Sequence, residues 1–172
     1  RALFEIFDFD ATTVNPYLGH DSIAPFIAYT DKGVFILCKT SNAGSADFQE
    51  SLCSETSNAN TRPLFELVAR KAREWNTKGN IGLVVGATYP EQLKRVRELC
   101  PELPLLIPGV GAQGGDLAAV VKYGVDAHGE KAIINCSRQI LYASKGKDFA
   151  EAARREALKL RDQINEQLAT RR

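Results

Sequence analysis

The chain has 172 residues, with 22 Lys and Arg against 21 Asp and Glu, a net charge of +1 and a hydrophobic fraction of 44%. That length suits one domain with a substantial core, the apolar content excludes intrinsic disorder, and the charge balance leaves no basic footprint for nucleic acid or an acidic membrane surface. No apolar stretch reaches the roughly 20 residues of a bilayer span and no signal-like pattern opens the chain, so the sequence reads as a soluble domain without nucleic-acid or membrane partners.

Short apolar runs alternate with longer amphipathic ones. Ala11–Val14 reads as the first strand, and Asp21-Ser22 caps a helical segment running toward Thr30. Gly33–Cys38 is the second strand, followed by a polar stretch, Ser45 to Asn60, read as a loop insertion outside the sheet. Asn60-Thr61-Arg62-Pro63 opens a helix through Trp75, with Pro63 near its first turn and Gly79 past its end. Gly82–Gly86 is a strand. Pro90 starts a helix that Pro101 stops. Leu105–Ile107 is a strand, Asp116-Leu117 leads a helix closed by Gly124, and Ala132–Asn135 is the last strand. A final helix from Asp148 carries the apolar stripe Phe149, Ala152, Ala153, Leu158, Leu160, Ile164 and Leu168.

The strands are apolar on both faces, as buried parallel sheets require. Units of about 25 residues match the α/β pattern of a (β/α)8 TIM barrel of roughly 250 residues. An open, Rossmann-like sheet shares the same alternation. Five strands cannot close an eight-stranded barrel. Either the sheet is open, or three βα units are missing on the N-terminal side, a reading that the absence of any Met favours. Residues 1–172 are expected to form a single domain, the C-terminal part of such a barrel.

The four cysteines, Cys38, Cys53, Cys100 and Cys136, form no C-x-x-C pair and read as small buried hydrophobes in a reducing cytosol. His20 and His128 have no ligand partner at i+3 or i+4. The expectation is a cytoplasmic protein with neither metal site nor disulfide.

Polar residues gather after each strand, where parallel α/β folds build their sites. The segment Gly109-Val110-Gly111-Ala112-Gln113-Gly114 fits the dinucleotide pattern G-x-G-x-x-G. Pro108 precedes it, however, the unit is fourth of five, and the next strand ends in Ser137-Arg138 rather than an acid. Glycines there better serve backbone approach to a phosphate monoester. Arg138, on the adjacent strand end, is a phosphate clamp or a solvated rim arginine. Thr40-Ser41-Asn42 offers hydroxyl and amide groups without a base, so Ser41 reads as a hydrogen-bond reader of a heterocycle. No Lys–carboxylate or paired-carboxylate cluster stands on these loops, and no catalytic residue is assigned in this chain.

Five ordered blocks (Thr13–Gly19, Cys38–Asn42, Gly82–Thr88, Ile107–Asp116 and Ile134–Arg138) together resemble the orotidine 5'-phosphate decarboxylase family, in its longer bacterial, type 2 subgroup. The resemblance covers essentially the whole chain, as strands four to eight. It implies a TIM barrel that decarboxylates orotidine 5'-phosphate to UMP without metal or organic cofactor. It further implies a homodimer, since the family's D-x-K-x-x-D run sends its last Asp into a neighbouring subunit's site. That run does not occur in these 172 residues.

By the same resemblance Ser41 bonds the pyrimidine ring and Gln113 belongs to a mobile loop that closes over substrate. Arg138 and the Ser137 N–H bind phosphate beside Gly111, and Asn15 lines the site at the fourth barrel strand. Ala43 stands where the family commonly has proline. Two alternatives remain open: a sister sugar-phosphate lyase or synthase, and a phosphate- or nucleotide-binding barrel remnant without activity.

Overall fold

The computed structural model describes residues 1–54, 61–111 and 114–170. Its centre is a five-stranded, wholly parallel sheet in the order β1 (Ala11–Val14), β2 (Gly33–Lys39), β5 (Ile81–Val85), β6 (Leu105–Pro108), β7 (Ala132–Asn135). The five expected strands are therefore neighbours in sequence order, and all their C-terminal ends emerge on one edge.

Between them run α1 (His20–Ile27), α3 (Leu64–Trp75), α4 (Pro90–Leu99) and α5 (Leu117–Gly124). The short α6 (Ser137–Leu141) and the long α7 (Phe149–Ala169) follow β7. A further short helix, α2 (Ala46–Gln49), follows β2.

One face of the sheet carries the core. Ile36, Cys38, Ile81, Leu83, Val85, Leu105 and Ile107 alternate along their strands and pack on Phe65, Ala69, Leu93, Val96 and Val120 of the helices. The opposite face carries Thr13, Phe35, Leu37, Val84, Leu106 and Ile133. Phe35 lies over Gly82, where a Cβ would stand 2.5 Å from its ring. Among the described residues β1 and β7 are edge strands, and Ile133 on β7 is 49% exposed. The burial of Cys38 and Cys100 raises both thiols, Cys100 to about 11, and each S–H donates to a helix carbonyl, Phe65 O and Ala69 O. They are inert core hydrophobes of the kind expected, whereas Cys53 and Cys136, expected to be buried too, are only half-buried.

Five expectations need correction. The segment from Ser45 is not plain loop: a 3-10 turn (Ala43–Ser45) and α2 are followed by β3 (Leu52–Ser54), antiparallel to β4 (Thr61–Pro63). The rest of it, 55–60, lies outside the described residues. Thr61 to Pro63 is therefore strand, and the helix begins at Leu64 because Pro63 is extended (ψ 146). Helix α1 starts after Gly19 rather than at an Asp21-Ser22 cap; Ser22 Oγ donates back to the Gly19 carbonyl at 2.7 Å. Ser137-Arg138 opens a helical turn, and Phe149 is exposed instead of joining the α7 stripe.

The N-terminal edge of the sheet is gathered by Arg97 of α4. Its guanidinium donates to five carbonyls: Gly124, Cys100, Pro101, Leu103 and Lys131, at 2.5–3.2 Å. These close α4 and α5 and lead into β6 and β7. A planar fork satisfies that ring of acceptors, and an ammonium cannot. Arg97→Lys should lower stability by about 1.5–3 kcal/mol and Arg97→Met by about 3–5 kcal/mol, since partly buried carbonyls lose a charged donor. Urea unfolding of both variants measures the difference.

Candidate functional site

The loops at the C-terminal edge touch one another in sheet order. Tyr17, after β1, packs edge-on against Phe48 of α2, ring centroids 6.5 Å apart. Ser41, after β2, packs on Gly86, after β5: a Cβ on Gly86 would collide with the Ser41 hydroxyl and stand 2.9 Å from the Ser41 amide nitrogen. Ala87 N donates to Pro108 O at 2.8 Å, and Gly115 packs on Ala87. Gly111, after β6, abuts Gln139 of α6. Five loops thus form one continuous rim.

On this rim Ser41 and Thr88 stand out. Both hydroxyl oxygens are buried, and among the described residues neither makes a hydrogen bond. A buried hydroxyl without a partner costs about 1–3 kcal/mol, and these two lie on the loops after β2 and β5, which meet at Gly86. Ser41 was expected there. Thr88 was passed over: its only signal in the sequence was a position three residues past Val85, with nothing to show that its hydroxyl is buried.

The glycine loop is folded on itself. Gly114 N donates to Gly111 O at 2.8 Å and Gly115 N to Gly109 O at 3.2 Å, while Gly111 has φ +80°, a left-handed conformation suited to glycine. The Asp116 carboxylate caps α5 by accepting from Ala118 N and Ala119 N at 2.9 and 3.4 Å. It occupies the helix terminus that a dinucleotide pyrophosphate would need. The dinucleotide pattern is therefore coincidental. Gln113 lies outside the described residues.

Across from this loop, Pro108 pairs with Asn135, which brings Ser137 and Arg138 beside it. Ser137 Oγ donates to Asn135 Oδ1 at 3.1 Å. Arg138 is exposed and, among the described residues, its guanidinium has no hydrogen bond or ion pair. Asn15 is placed differently from the rest. Its Oδ1 accepts from Tyr17 N at 3.0 Å and caps the 3-10 turn Pro16–Leu18, so that oxygen already has a local structural task.

The model of the Orotidine 5'-phosphate decarboxylase / HUMPS family matches residues 4–155. The chain belongs to that family. It is 56% identical over 167 residues to the orotidine 5'-phosphate decarboxylase of Ralstonia pickettii, a match that covers 96% of this chain and 59% of that protein. The solved structure of Leishmania donovani OMP decarboxylase superposes with a TM-score of 0.81 at 40% identity, covering 97% of this chain and 60% of that one. Leishmania donovani UMP synthase does so with a TM-score of 0.83 at 43% identity, covering 97% and 35%. The chain thus spans well under two thirds of the relatives it matches. These likenesses bear out the α/β TIM-barrel reading. Among the described residues no helix is long and apolar enough to cross a membrane.

The contact between Gly86 and Ser41 leaves no room for a methyl group. Gly86→Ala should destabilise the fold by about 1–3 kcal/mol, the usual scale of overpacking. Ser41→Gly should recover part of that loss, because it removes the colliding hydroxyl but not the nearby amide. A double-mutant cycle by thermal unfolding measures the coupling.

Proposed function

We propose that these residues form the C-terminal five βα units of an orotidine 5'-phosphate decarboxylase of the longer bacterial subgroup, with an insertion at about residues 45–60. The enzyme converts orotidine 5'-phosphate to UMP in pyrimidine biosynthesis, in the cytoplasm and as a homodimer, without metal or organic cofactor. What carries this reading is the pair of buried hydroxyls, Ser41 and Thr88, on the same rim as the exposed Arg138 guanidinium, none of them with a partner among the described residues. One end of that rim suits a polar heterocycle and the other a phosphate. The relatives' names give the ligand that has both.

The phosphate end consists of Arg138, the Ser137 amide, Gly111 and Gln113, and the pyrimidine end of Ser41, with Asn15 at the margin. Phosphate contacts are remote from the bond that breaks, so their binding energy can drive loop closure and desolvate the reacting carboxylate. Loss of CO2 leaves the bonding electron pair on a ring carbon, which takes up a proton. Stabilising that charge calls for a cation placed at the carbon beforehand.

Lys39, the lysine at a strand end, does not serve. The ladder slips between Leu37 and Lys39, so Lys39 pairs with core-facing Val85 and lies on the helix side of the sheet. The Lys/Asp network of the family's other strands is what supplies the chemistry.

Arg138→Ala should weaken UMP binding by about 1.5–3 kcal/mol, the scale of a hydrogen bond to a charged group, with the fold intact. Calorimetry that finds unchanged affinity removes the phosphate assignment. The 172-residue chain alone should not consume orotidine 5'-phosphate in a spectrophotometric assay, and an added fragment bearing the first three βα units should restore turnover. Turnover by the chain alone would overturn that division.

A further inference from the structure

Lys39 is the largest fully buried side chain among the described residues, with 0% exposure, and neither phosphate binding nor ring recognition uses it. Its Nζ donates to Ser45 Oγ at 2.8 Å, pairs with Glu50 Oε1 at 3.2 Å and sits 3.9 Å from the centroid of the Tyr89 ring. Its own carbonyl accepts from Gly86 N at 2.7 Å. The next residue, Thr40, is clamped by one side chain: Gln49 Oε1 accepts from Thr40 N at 2.9 Å and Gln49 Nε2 donates to Thr40 Oγ1 at 2.8 Å.

These contacts enclose Ser41. Behind it lies the strand end, fixed to Gly86; ahead of it the chain turns through residues 43–50, which Lys39 holds at Ser45 and Glu50 and Thr40 holds at Gln49. Tyr89, under the ammonium, opens α4 and is the residue after Thr88. One buried cation therefore ties the segments that carry both unpartnered hydroxyls. Burying an ammonium is costly unless it is paired, and this one is paired to groups from the two loops it joins.

We infer that Lys39 is a positioning residue for ring recognition: it sets the placement of Ser41 and Thr88 and does not itself touch the ligand. The inference rests on the pyrimidine reading of Ser41. It assigns Lys39 a role at one end of the ligand only, because the side chains its ammonium meets, Ser45, Glu50 and Tyr89, belong to the loops after β2 and β5, whereas the phosphate end hangs from β6 and β7.

That asymmetry gives the test. Wild type, Lys39→Met, Lys39→Arg, Glu50→Gln and Ser41→Ala are titrated with UMP and with ribose 5'-phosphate, which lacks the base. Lys39→Met should lose roughly tenfold in UMP affinity, the worth of one hydrogen bond, and keep its affinity for ribose 5'-phosphate. Lys39→Arg, which retains charge and donors, should recover most of the loss. Equal weakening of both ligands, or unchanged UMP affinity in a folded Lys39→Met, overturns the inference.

If Lys39→Met does not fold, Glu50→Gln decides. Its carboxylate is 36% exposed, so its loss is tolerable, and it should shift UMP affinity in the same direction by a smaller factor. Unchanged UMP affinity there also overturns the inference. Ser41→Ala separates the two readings: if it binds UMP like wild type, the pyrimidine assignment of Ser41 itself has failed, whatever the Lys39 variants do.

Discussion

The site depends on a hydrogen-bond ladder that does not stop where the strands stop. Beyond Val85, the last residue of β5, Gly86 N still donates to the Lys39 carbonyl of β2 at 2.7 Å, and Ala87 N donates to the Pro108 carbonyl of β6 at 2.8 Å. The central loop is therefore fastened on both sides. Parallel pairing in sequence order places every loop on the same edge, and these amides lock three of them at backbone separation. Only small residues allow it: Gly86 lies against Ser41, and Gly115 against Ala87. The rim is a continuation of the sheet, and its polar side chains inherit the rigidity of the sheet.

A second constraint is electrostatic. The β2 ladder slips at its end, and this bulge turns Lys39 away from the face of Phe35 and Leu37 toward the helices. Strict alternation would have aimed the ammonium at the open face. The bulge instead buries it where Glu50, Ser45 and the Tyr89 ring compensate the lost hydration. Breaking a buried pair costs more than the pair contributes when intact, so such a group fixes geometry more than it adds stability. Arg97 works alike at the opposite edge, where one cation collects the carbonyls of four chain segments.

Strand positions were legible because their apolar runs are short and bounded by Gly, Pro or polar residues, even at the edge strands β1 and β7, which are not buried. Asp116 signalled its helix through a cap that the structure bears out. The β3–β4 hairpin was not legible: three-residue strands such as Leu52–Ser54 and Thr61–Pro63 carry no period to detect, and Pro63 suggested a helical first turn. Gly19 hid the start of α1 because its capping is a backbone effect. The placement of Ser41 and Arg138 on one rim could be read from chain position, since strand ends are where parallel folds place polar groups. The burial of Lys39 could not, because it depends on a one-residue slip in register that leaves no mark on composition.

The two ends of the rim differ in how they are made, and the difference follows from what each would hold. A phosphate is doubly charged and heavily hydrated, and Arg138 stands exposed, where such a group could reach it from solvent. A pyrimidine edge is neutral and directional. Ser41 and Thr88 are accordingly buried and held by backbone bonds and a buried cation, because a hydroxyl discriminates between acceptor patterns only if it cannot rotate its support to suit a wrong one. On the proposed reading, an exposed group meets the charge and buried groups meet the ring, which would divide affinity from specificity within one edge of one sheet. The frame is built by β2 and β5 and the grip by β6 and β7, so sheet order itself sets the direction in which a nucleotide would lie.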